Sequence, residues 1–515
     1  MTWLIILAAV VVILIVLAVI DVIQTRHSIR RNYPIVGRLR FLLERLGPEL
    51  RQYIVTDNDE ERPFSRDQRR WVYASAKKEN QYFGFGTDNK MTKAQYPIFR
   101  HVAFPYSPPG DRSGQGHEPE AGEPDRADHY LPPTKVMGEW RDRPGAFRPQ
   151  SLVNISAMSF GSLSGRAIES LNRGSKIAGC LHNTGEGGVS NHHLHGGELI
   201  FQIGTGYFGA RSPDGRFDLD AAVALMDRAP IRAVEIKLSQ GAKPGLGGVL
   251  PASKVTPEIA AARGVPVGVT VASPSSHAEF DTVPGMIEFV ERVADGCRVP
   301  VGIKSAVGDR GFWIELADEM SRTGRGPDFI SIDGGEGGTG AAPLVFSDHV
   351  ALPFRSAFSE VYRVFAERGM HDRVMWIGAG KLGFPGDAMV AMALGADMIN
   401  VGREAMLAVG CIQAQECHTG HCPTGVATHS KWLTRGLDPT DKSARTANYV
   451  MNLRHELIKL AQACGKPHPG LVDGRAVDLM LEGDTMLSLW DHFEYRDEWQ
   501  SVSAEHEAQI AKLMA

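Results

Sequence analysis

The hydrophobic pattern is most extreme at the start of the chain. From Trp3 to Ile20 it reads WLIILAAVVVILIVLAVI, all uncharged and almost wholly aliphatic, about 27 Å as a helix and enough for one membrane crossing. A cleaved signal peptide has a basic start, a shorter apolar core and a small-x-small cleavage site. Here Met1-Thr2 carries no basic side chain and the run leads into Asp21-Val22-Ile23. Arg26, Arg30, Arg31, Arg38 and Arg40 follow, which by the positive-inside rule places the downstream chain in the cytoplasm. The pattern predicts a retained single-pass anchor over residues 1–24, with a signal peptide or a buried core helix as alternatives. From Ile35 to Tyr53 apolar residues recur at roughly helical spacing between arginines. That suits a helix on the membrane surface or an amphipathic helix packed on the domain behind it. From Pro105 to Pro149 periodicity is lost among Pro, Gly and charged residues, the mark of an irregular connector, so residues 25–149 read as extension and connector.

Beyond Ser151 short apolar, β-branched runs alternate with helix-like stretches, as parallel βα units do. Candidate strands are Val153–Ser156, Leu181–Thr184, Ala233–Leu238, Val265–Val271, Val299–Ile303, Phe329–Ile332, Val374–Ile377 and Met398–Val401. Candidate helices between them are Leu163–Ala178, Asp220–Asp227, Met286–Ala294, Phe312–Ser321, Val350–Glu367 and Asp387–Leu394. Eight such strands over about 250 residues suit an α/β TIM barrel better than an open doubly wound sheet, although strand count alone does not show closure. The barrel is placed over residues 150–435 and a helical region over 436–515.

Composition narrows the function. A formal net charge of −5 offers no basic field for nucleic-acid backbones, and six cysteines in 515 residues are too few for a disulfide scaffold. The 56 glycines change the picture more, because they bunch at the C-terminal ends of the candidate strands, the face where such barrels place their sites. Ala157-Met158-Ser159 follows the first strand and NTGEGG, with Glu186, the second. QGAKPG, with Lys243, follows Ala233–Leu238; Asp333, Gly334, Gly335 and Gly340 lie in the loop after Phe329–Ile332. Gly378 and Gly380 follow the seventh strand, and Gly402-Arg403 the eighth, where barrels hold phosphate on backbone N–H groups. Tight turns are the alternative reading of any one such loop. Together they predict a phosphorylated cofactor or substrate.

Cys411, Cys417 and Cys422 form C-x5-C-x4-C followed by Pro423. In a reducing compartment that spacing points to metal or iron–sulfur ligation. Three thiolates suit an iron–sulfur cluster; zinc is the rival, with His418 and His421 in the same loop to complete four ligands. Cys180, Cys297 and Cys464 read as core residues. The run Asn191-His192-His193-Leu194-His195 reads as a solvated loop, with metal binding as the alternative. Lys237, Lys243 and Lys304 lie near strand ends, placed to pair with a flavin's electron-rich edge or a substrate carboxylate, or simply to close a strand.

Taken together, AMSFGSLS (157–164), NTGEGG (183–188), IKLSQGAKPGLGG (236–248), DGGEGGTGAAP (333–343), GAGKLG (378–383) and CIQAQECHTGHCPTGVATH (411–429) resemble the FMN-binding synthase domain of glutamate synthases. The resemblance covers roughly residues 150–460. It implies a TIM barrel holding FMN beside a [3Fe–4S] cluster, with Cys411, Cys417 and Cys422 as cluster ligands. By the same resemblance the flavin lies on Ala157-Met158-Ser159, with its phosphate on Gly340, Gly380 and Gly402 and Lys304 near the ring. Glu186 and Lys243 border the site of 2-oxoglutarate and its imine, which reduced FMN converts to L-glutamate using electrons from the cluster. Catalytic roles are thus implied for Glu186, Lys243 and Lys304.

Three departures qualify this. The family's amino-terminal cysteine nucleophile for glutamine is replaced by Met1-Thr2, and there is no room for its long β-helix. The expectation is synthesis without a glutaminase, from ammonia or a partner's amino group. The family's GEGGQ also reads Gly245-Leu246-Gly247-Gly248-Val249 here, a more apolar substrate wall that can reorder substrate preference. A different amino-acid substrate and a membrane-tethered FMN/iron–sulfur electron-transfer module are the alternatives. An inosinate-dehydrogenase type of barrel is disfavoured, because DGGEGGTGAAP lacks the cysteine that class needs. No GxGxxG opening a Rossmann unit is visible, so reducing equivalents are expected from a ferredoxin or a reductase subunit.

Overall fold

The computed structural model describes residues 2–24, 33–50, 60–79, 86–107, 130–482, 485–499 and 502–514. The chain forms two compact units, residues 1–70 and 71–515. Arg26, Arg30 and Arg31, and residues 108–129 of the expected connector, lie outside the described residues.

In the first unit the apolar run forms the helix Thr2–Ile23, long and apolar enough to cross a membrane. Near its end Asp21 is fully buried, accepting hydrogen bonds from the Ile35 amide (3.0 Å) and Arg38 Nε (2.8 Å). That pairing ties the apolar helix to the start of the next one, Val36–Leu50. On the second helix Val36, Leu39, Leu42, Leu43, Leu46 and Leu50 are all exposed, and their spacing puts them on one face.

The second unit is built on a closed barrel. Strands are numbered β1 (Pro97–Phe99), β2 (Val153–Ile155), β3 (His182–Asn183), β4 (Leu199–Ile203), β5 (Ile231–Lys237), β6 (Val249–Leu250), β7 (Val271–Ala272), β8 (Val301–Ser305), β9 (Phe329–Asp333), β10 (Met375–Ala379), β11 (Met398–Val401), β12 (Val477–Met480) and β13 (Met486–Ser488). Barrel order is β2-β3-β4-β5-β8-β9-β10-β11, all parallel, closed by β11 on β2. Burial on both faces explains why these strands read as continuous rather than alternating apolar runs. Strand β1 joins β12 and β13 in a separate antiparallel sheet, so the stretch after residue 436 carries two strands as well as the helices Pro439–Ala463 and Ala504–Met514.

One expected barrel strand is wrong. Val265–Val271 lies in the insertion between β5 and β8, where the helix Pro257–Arg263 ends on Gly264 in the left-handed conformation (φ 67°). Pro266 and Gly268 break the ladder pattern, Val267 and Val269 are exposed, and only Val271 pairs, in the small β6–β7 hairpin. The true third strand is β4, LIFQI, whose polar Gln202 obscured it. Closure with eight strands holds.

Local chemistry sets the helices. Ser164 caps Gly165–Ala178 by accepting the Ala167 amide, and Gly179 at φ 64° ends it. That helix packs against Pro439–Ala463, and a Cβ on Gly174 would stand 2.5 Å from Thr446 Cβ, so the crossing requires glycine there. At the N-terminal end of the barrel, cations from residues 130–150 meet buried acids. Arg143 bridges Glu291 (2.8 Å) and Asp328 (3.1 Å), and Lys135 bonds Asp397 (3.0 Å). Asp328 also accepts the Val301 amide and Asp397 the Trp376 amide, so each acid fixes a strand start as well as a cation. Burial pushes the Arg141 guanidinium down to about 10, still charged at neutral pH.

Removing one partner strands buried charge. Arg143→Ala is therefore expected to destabilise the second unit by about 3–5 kcal/mol, read as a lower midpoint in urea unfolding. An Arg45→Ala control on the first unit should leave the transition unchanged.

Candidate active site

The site forms at the C-terminal mouth of the barrel around a carboxylate the sequence reading missed. Glu235, fully buried in β5, accepts hydrogen bonds from Asn183 Nδ2 (2.8 Å, β3), Gln202 Nε2 (2.7 Å, β4) and Ser331 Oγ (2.6 Å, β9). Lys304 stands on β8 in the field of the same carboxylate, with Asp333 Oδ2 3.4 Å from its ammonium. Burial opposes charge on Lys304, but Asp333, Glu235 and Glu186 outweigh it and raise its pKa above the ordinary value. Asp333 also accepts the Gly241 amide at 3.0 Å. A Cβ on Gly241 would lie 1.8 Å from the Gly334 carbonyl, so the loops after β5 and β9 touch backbone to backbone.

Above this layer Glu186 faces cations. Lys237 Nζ is 3.0 Å from Glu186 Oε1 and bonds Gln240 Oε1 at 2.5 Å. Burial alone would raise the Glu186 carboxyl, but Lys237, Lys243 and Arg263 together hold it below the usual carboxylate range. Burial lowers Lys243, helped by Lys237, and burial also lowers Arg263. Arg263 comes from the insertion helix and bonds the Phe160 carbonyl at 3.4 Å. His277, from the same insertion, contacts the Lys237 carbonyl at 2.9 Å and Tyr207 Oη at 3.2 Å, and burial lowers its pKa. A small cleft opens here, lined by Glu186, Thr205, Lys237, Gln240 and residues 245–248. Leu246 lines it; Val249 is exposed in β6 and does not.

The structure brings most of the predicted cofactor residues to this mouth. Ala157, Met158 and Ser159 follow β2, and a Cβ on Gly185 would lie 2.7 Å from the Ser159 amide, so the loops after β2 and β3 are in contact. Within the loop after β9, the amides of Gly334, Gly335 and Gly337 are spent on the carbonyls of Ala379, Leu352 and Gly334. Gly334 and Gly335 thus hold the loop's shape. Gly378 lies inside β10 with Phe354 and Leu382 against it, a packing position. Gly340 and Gly402 have open surroundings, the nearest atoms being Cys417 Cβ at 3.8 Å and Ser156 Cβ at 3.5 Å from an added Cβ. Gly380 has φ 117° beside Gly334, and Arg403 bonds the Glu336 carbonyl. Asn400 Oδ1, buried near the end of β11, has no hydrogen-bond partner among the described residues.

The three cysteines share one loop between the helices Arg403–Ala408 and Lys431–Thr434. Cys417 sits beside Gly340, and Tyr73 Oη bonds the Cys411 carbonyl at 2.8 Å. Burial raises the Cys417 thiol. At Cys422 burial is outweighed by hydrogen bonds from Thr424 and the Ala427, Thr424 and Val426 backbone, and the thiol is lowered. Cys180, Cys297 and Cys464 are buried, as expected of core residues. Glu235 and Gln202 carried a signal, polar side chains in otherwise apolar strand runs; Arg263 and His277, on an irregular insertion, carried none.

A family model of the conserved region in glutamate synthase matches residues 141–467. The chain belongs to the glutamate synthase family. A glutamate synthase large subunit-like protein, YerD, of Bacillus subtilis (strain 168) is 40% identical over 468 residues, covering 87% of this chain and 88% of its own. The archaeal glutamate synthase (NADPH) of Methanocaldococcus jannaschii is 35% identical over 316 residues, 61% of this chain and 59% of its own, so the match spans little more than half of that relative. Glutamate synthases are oxidoreductases acting on CH–NH2 donors, and this chain is an enzyme of that type. Among solved structures, a mandelate oxidase with an FMN adduct aligns over 71% of this chain at TM-score 0.38 and 16% identity. A flavocytochrome b2 variant with sulfite bound aligns over 81% at 0.42 and 12%.

Lys237 is the first of the three cations that offset the burial of Glu186. Lys237→Ala is expected to raise the Glu186 carboxyl, shifting the acid limb of the pH–rate profile upward. An unmoved acid limb would show that Glu186 takes its charge from elsewhere.

Proposed function

We propose that the chain is an FMN and iron–sulfur oxidoreductase that converts a 2-oxo acid, 2-oxoglutarate first, and ammonia or a partner's amino group into the L-amino acid. The observation that carries this reading is the charge cluster in which Lys237, Lys243 and Arg263 act on Glu186, next to a cleft that Glu186 and Lys237 line, with Lys304 near the same carboxylate. Three cations against one carboxylate leave two positive charges, which suits a substrate with two carboxylates. Lys243 and Arg263, lowered by burial and short of acidic partners, are the groups a substrate carboxylate would repay most. Glu186, ionised, accepts the N–H of a protonated imine and so holds the positive charge that makes the imine carbon electrophilic.

The residues present fit the flavin. Open space at Gly340 and Gly402, the cations Arg403 and Lys381 at the ends of β11 and β10, and the unpaired Asn400 Oδ1 suit a phosphorylated, polar cofactor. Gly340, Gly380, Gly402 and Arg403 would hold its phosphate, Ala157-Met158-Ser159 would line its ring, and Lys304 would pair with its electron-rich edge. FMN, when bound, supplies the hydride. Cys411, Cys417 and Cys422 would hold a [3Fe–4S] cluster, beside the flavin loop because Cys417 lies against Gly340. A ferredoxin or a reductase subunit would bring the electrons.

The same reading places the enzyme on the cytoplasmic face of a membrane, anchored by Thr2–Ile23. The Asp21–Arg38 pair would turn the next helix back along the surface, and its exposed leucines would enter the headgroup boundary.

The deciding experiment uses the full chain in detergent. Absorption and EPR spectra are expected to show flavin and a three-iron cluster. The reduced protein should be reoxidised by 2-oxoglutarate with ammonium, yielding glutamate. Glu186→Gln is expected to slow that step about 100-fold at unchanged flavin content. A colourless, zinc-containing protein would overturn the cofactors, and a flavin reoxidised by no oxo acid would overturn the reaction in favour of electron relay.

A further inference from the structure

The histidine run after β3 divides in the structure. His193 is fully buried, its Nδ1 accepting the Ser190 amide at 3.1 Å, and it belongs to the core. His192 and His195 turn instead toward the helix Gly165–Ala178. The loop lies along one stripe of that helix, residues 165, 169, 172 and 176, spaced one turn apart. The His192 ring covers Gly165, where a Cβ would lie 2.3 Å from Nε2. Asn172 Oδ1 accepts the amides of His195 (2.9 Å) and Gly197 (3.2 Å), and Gly196 rests on the Lys176 side chain. Glu169 therefore stands between the two imidazoles, and one ligand atom each from Glu169, His192 and His195 falls within 4.8 Å of the others.

The geometry points to a divalent transition-metal site of the zinc class, held by Glu169, His192 and His195. Two imidazoles and a carboxylate are a borderline donor set that suits zinc and not the harder cations. Glu258, from the insertion helix Pro257–Arg263, lies 2.8 Å from His192 Nε2. It supplies the fourth group, as a ligand or as the carboxylate that fixes a ligating ring. Arg173 pairs with Glu169 Oε1 at 3.2 Å; a carboxylate's second oxygen lets cation and arginine share it. The backbone bonds from Asn172 hold the loop before any ion arrives.

Such an ion would join three segments: the helix after β2, the loop after β3 and the insertion helix. That last helix carries Arg263 to Glu186 and the Phe160 carbonyl, and the His192 ring packs on Phe160 at 4.8 Å between centroids. The metal would act structurally, pinning the insertion against the barrel at the back of the substrate cleft.

The test takes the full chain, stripped with EDTA, desalted and titrated with zinc chloride, with uptake followed by calorimetry and zinc-edge X-ray absorption. One zinc per chain is expected, with a shell of N and O at about 2.0–2.1 Å and no sulfur shell at about 2.3 Å. His195→Ala and Glu169→Ala should each weaken uptake at least about tenfold and Glu258→Gln about 10–100-fold, all with unchanged circular dichroism. Cys417→Ser should leave this zinc in place. Folded wild-type protein that takes up no zinc would overturn the site. So would a sulfur-shelled zinc that survives His195→Ala and disappears in Cys417→Ser, which would assign the metal to the cysteine loop.

Discussion

One buried carboxylate organises the mouth of this barrel. Glu235 has no access to solvent, and it is tolerable there only because Asn183, Gln202 and Ser331 donate to it and Lys304 supplies opposite charge nearby. These groups come from β3, β4, β5, β8 and β9, so five of eight strands are held to a common level by one charge. The arrangement also fixes Lys304, whose ammonium stays protonated because acids surround it. A neutral residue at 235 would leave Lys304 dependent on Asp333 and Glu186, and Asp333 is already engaged with the Gly241 amide. Structural and chemical demands thus meet in one polar layer beneath the cleft.

The opposite end of the barrel uses similar pairs to a different end. Lys135, Arg141 and Arg143 come from the segment before the first barrel strand and satisfy Asp328, Glu291 and Asp397. Each of these acids also accepts a backbone amide, from Val301, Gly326 and Trp376 in turn, so the ion pairs tie the barrel floor together. At the mouth, by contrast, Lys237, Lys243 and Arg263 outnumber Glu186. Around Glu186 the cations exceed their carboxylate, whereas at the floor each cation meets an acid.

The barrel was legible because both faces of its strands are buried, which writes them as apolar runs, and because its glycines gather at strand ends where backbones nearly touch. The reading failed where that rule is broken. β4 carries Gln202 inward to Glu235, which mixes a polar residue into its run, while in Val265–Val271 the apolar Val267 and Val269 are exposed. The two errors offset, and the count of eight survived. Gly378 shows the same limit on a smaller scale, since glycine for packing against Phe354 and glycine for a ligand look alike in sequence. Lys243 and Glu186 were visible because they sit in glycine loops; Arg263 and His277 were not, because the insertion that delivers them has no period to read.

The insertion between β5 and β8 is less tightly built into the molecule than the barrel strands are. The strands fix Glu186, Lys237 and Lys304 through the barrel itself, and a substitution there disturbs the whole mouth. Leu246, Arg263 and His277 are held by a short hairpin, one helix and a few hydrogen bonds; Leu246 lines the cleft, while Arg263 bonds the Phe160 carbonyl and His277 contacts the Lys237 carbonyl behind it. Leu246 contributes apolar surface to the cleft, while Arg263 adds a third cation to Lys237 and Lys243 around Glu186. One insertion thus sets both the apolar lining of the cleft and part of the charge around that carboxylate. The shape and charge of the cleft therefore depend on how the insertion is docked as well as on the barrel strands beneath it.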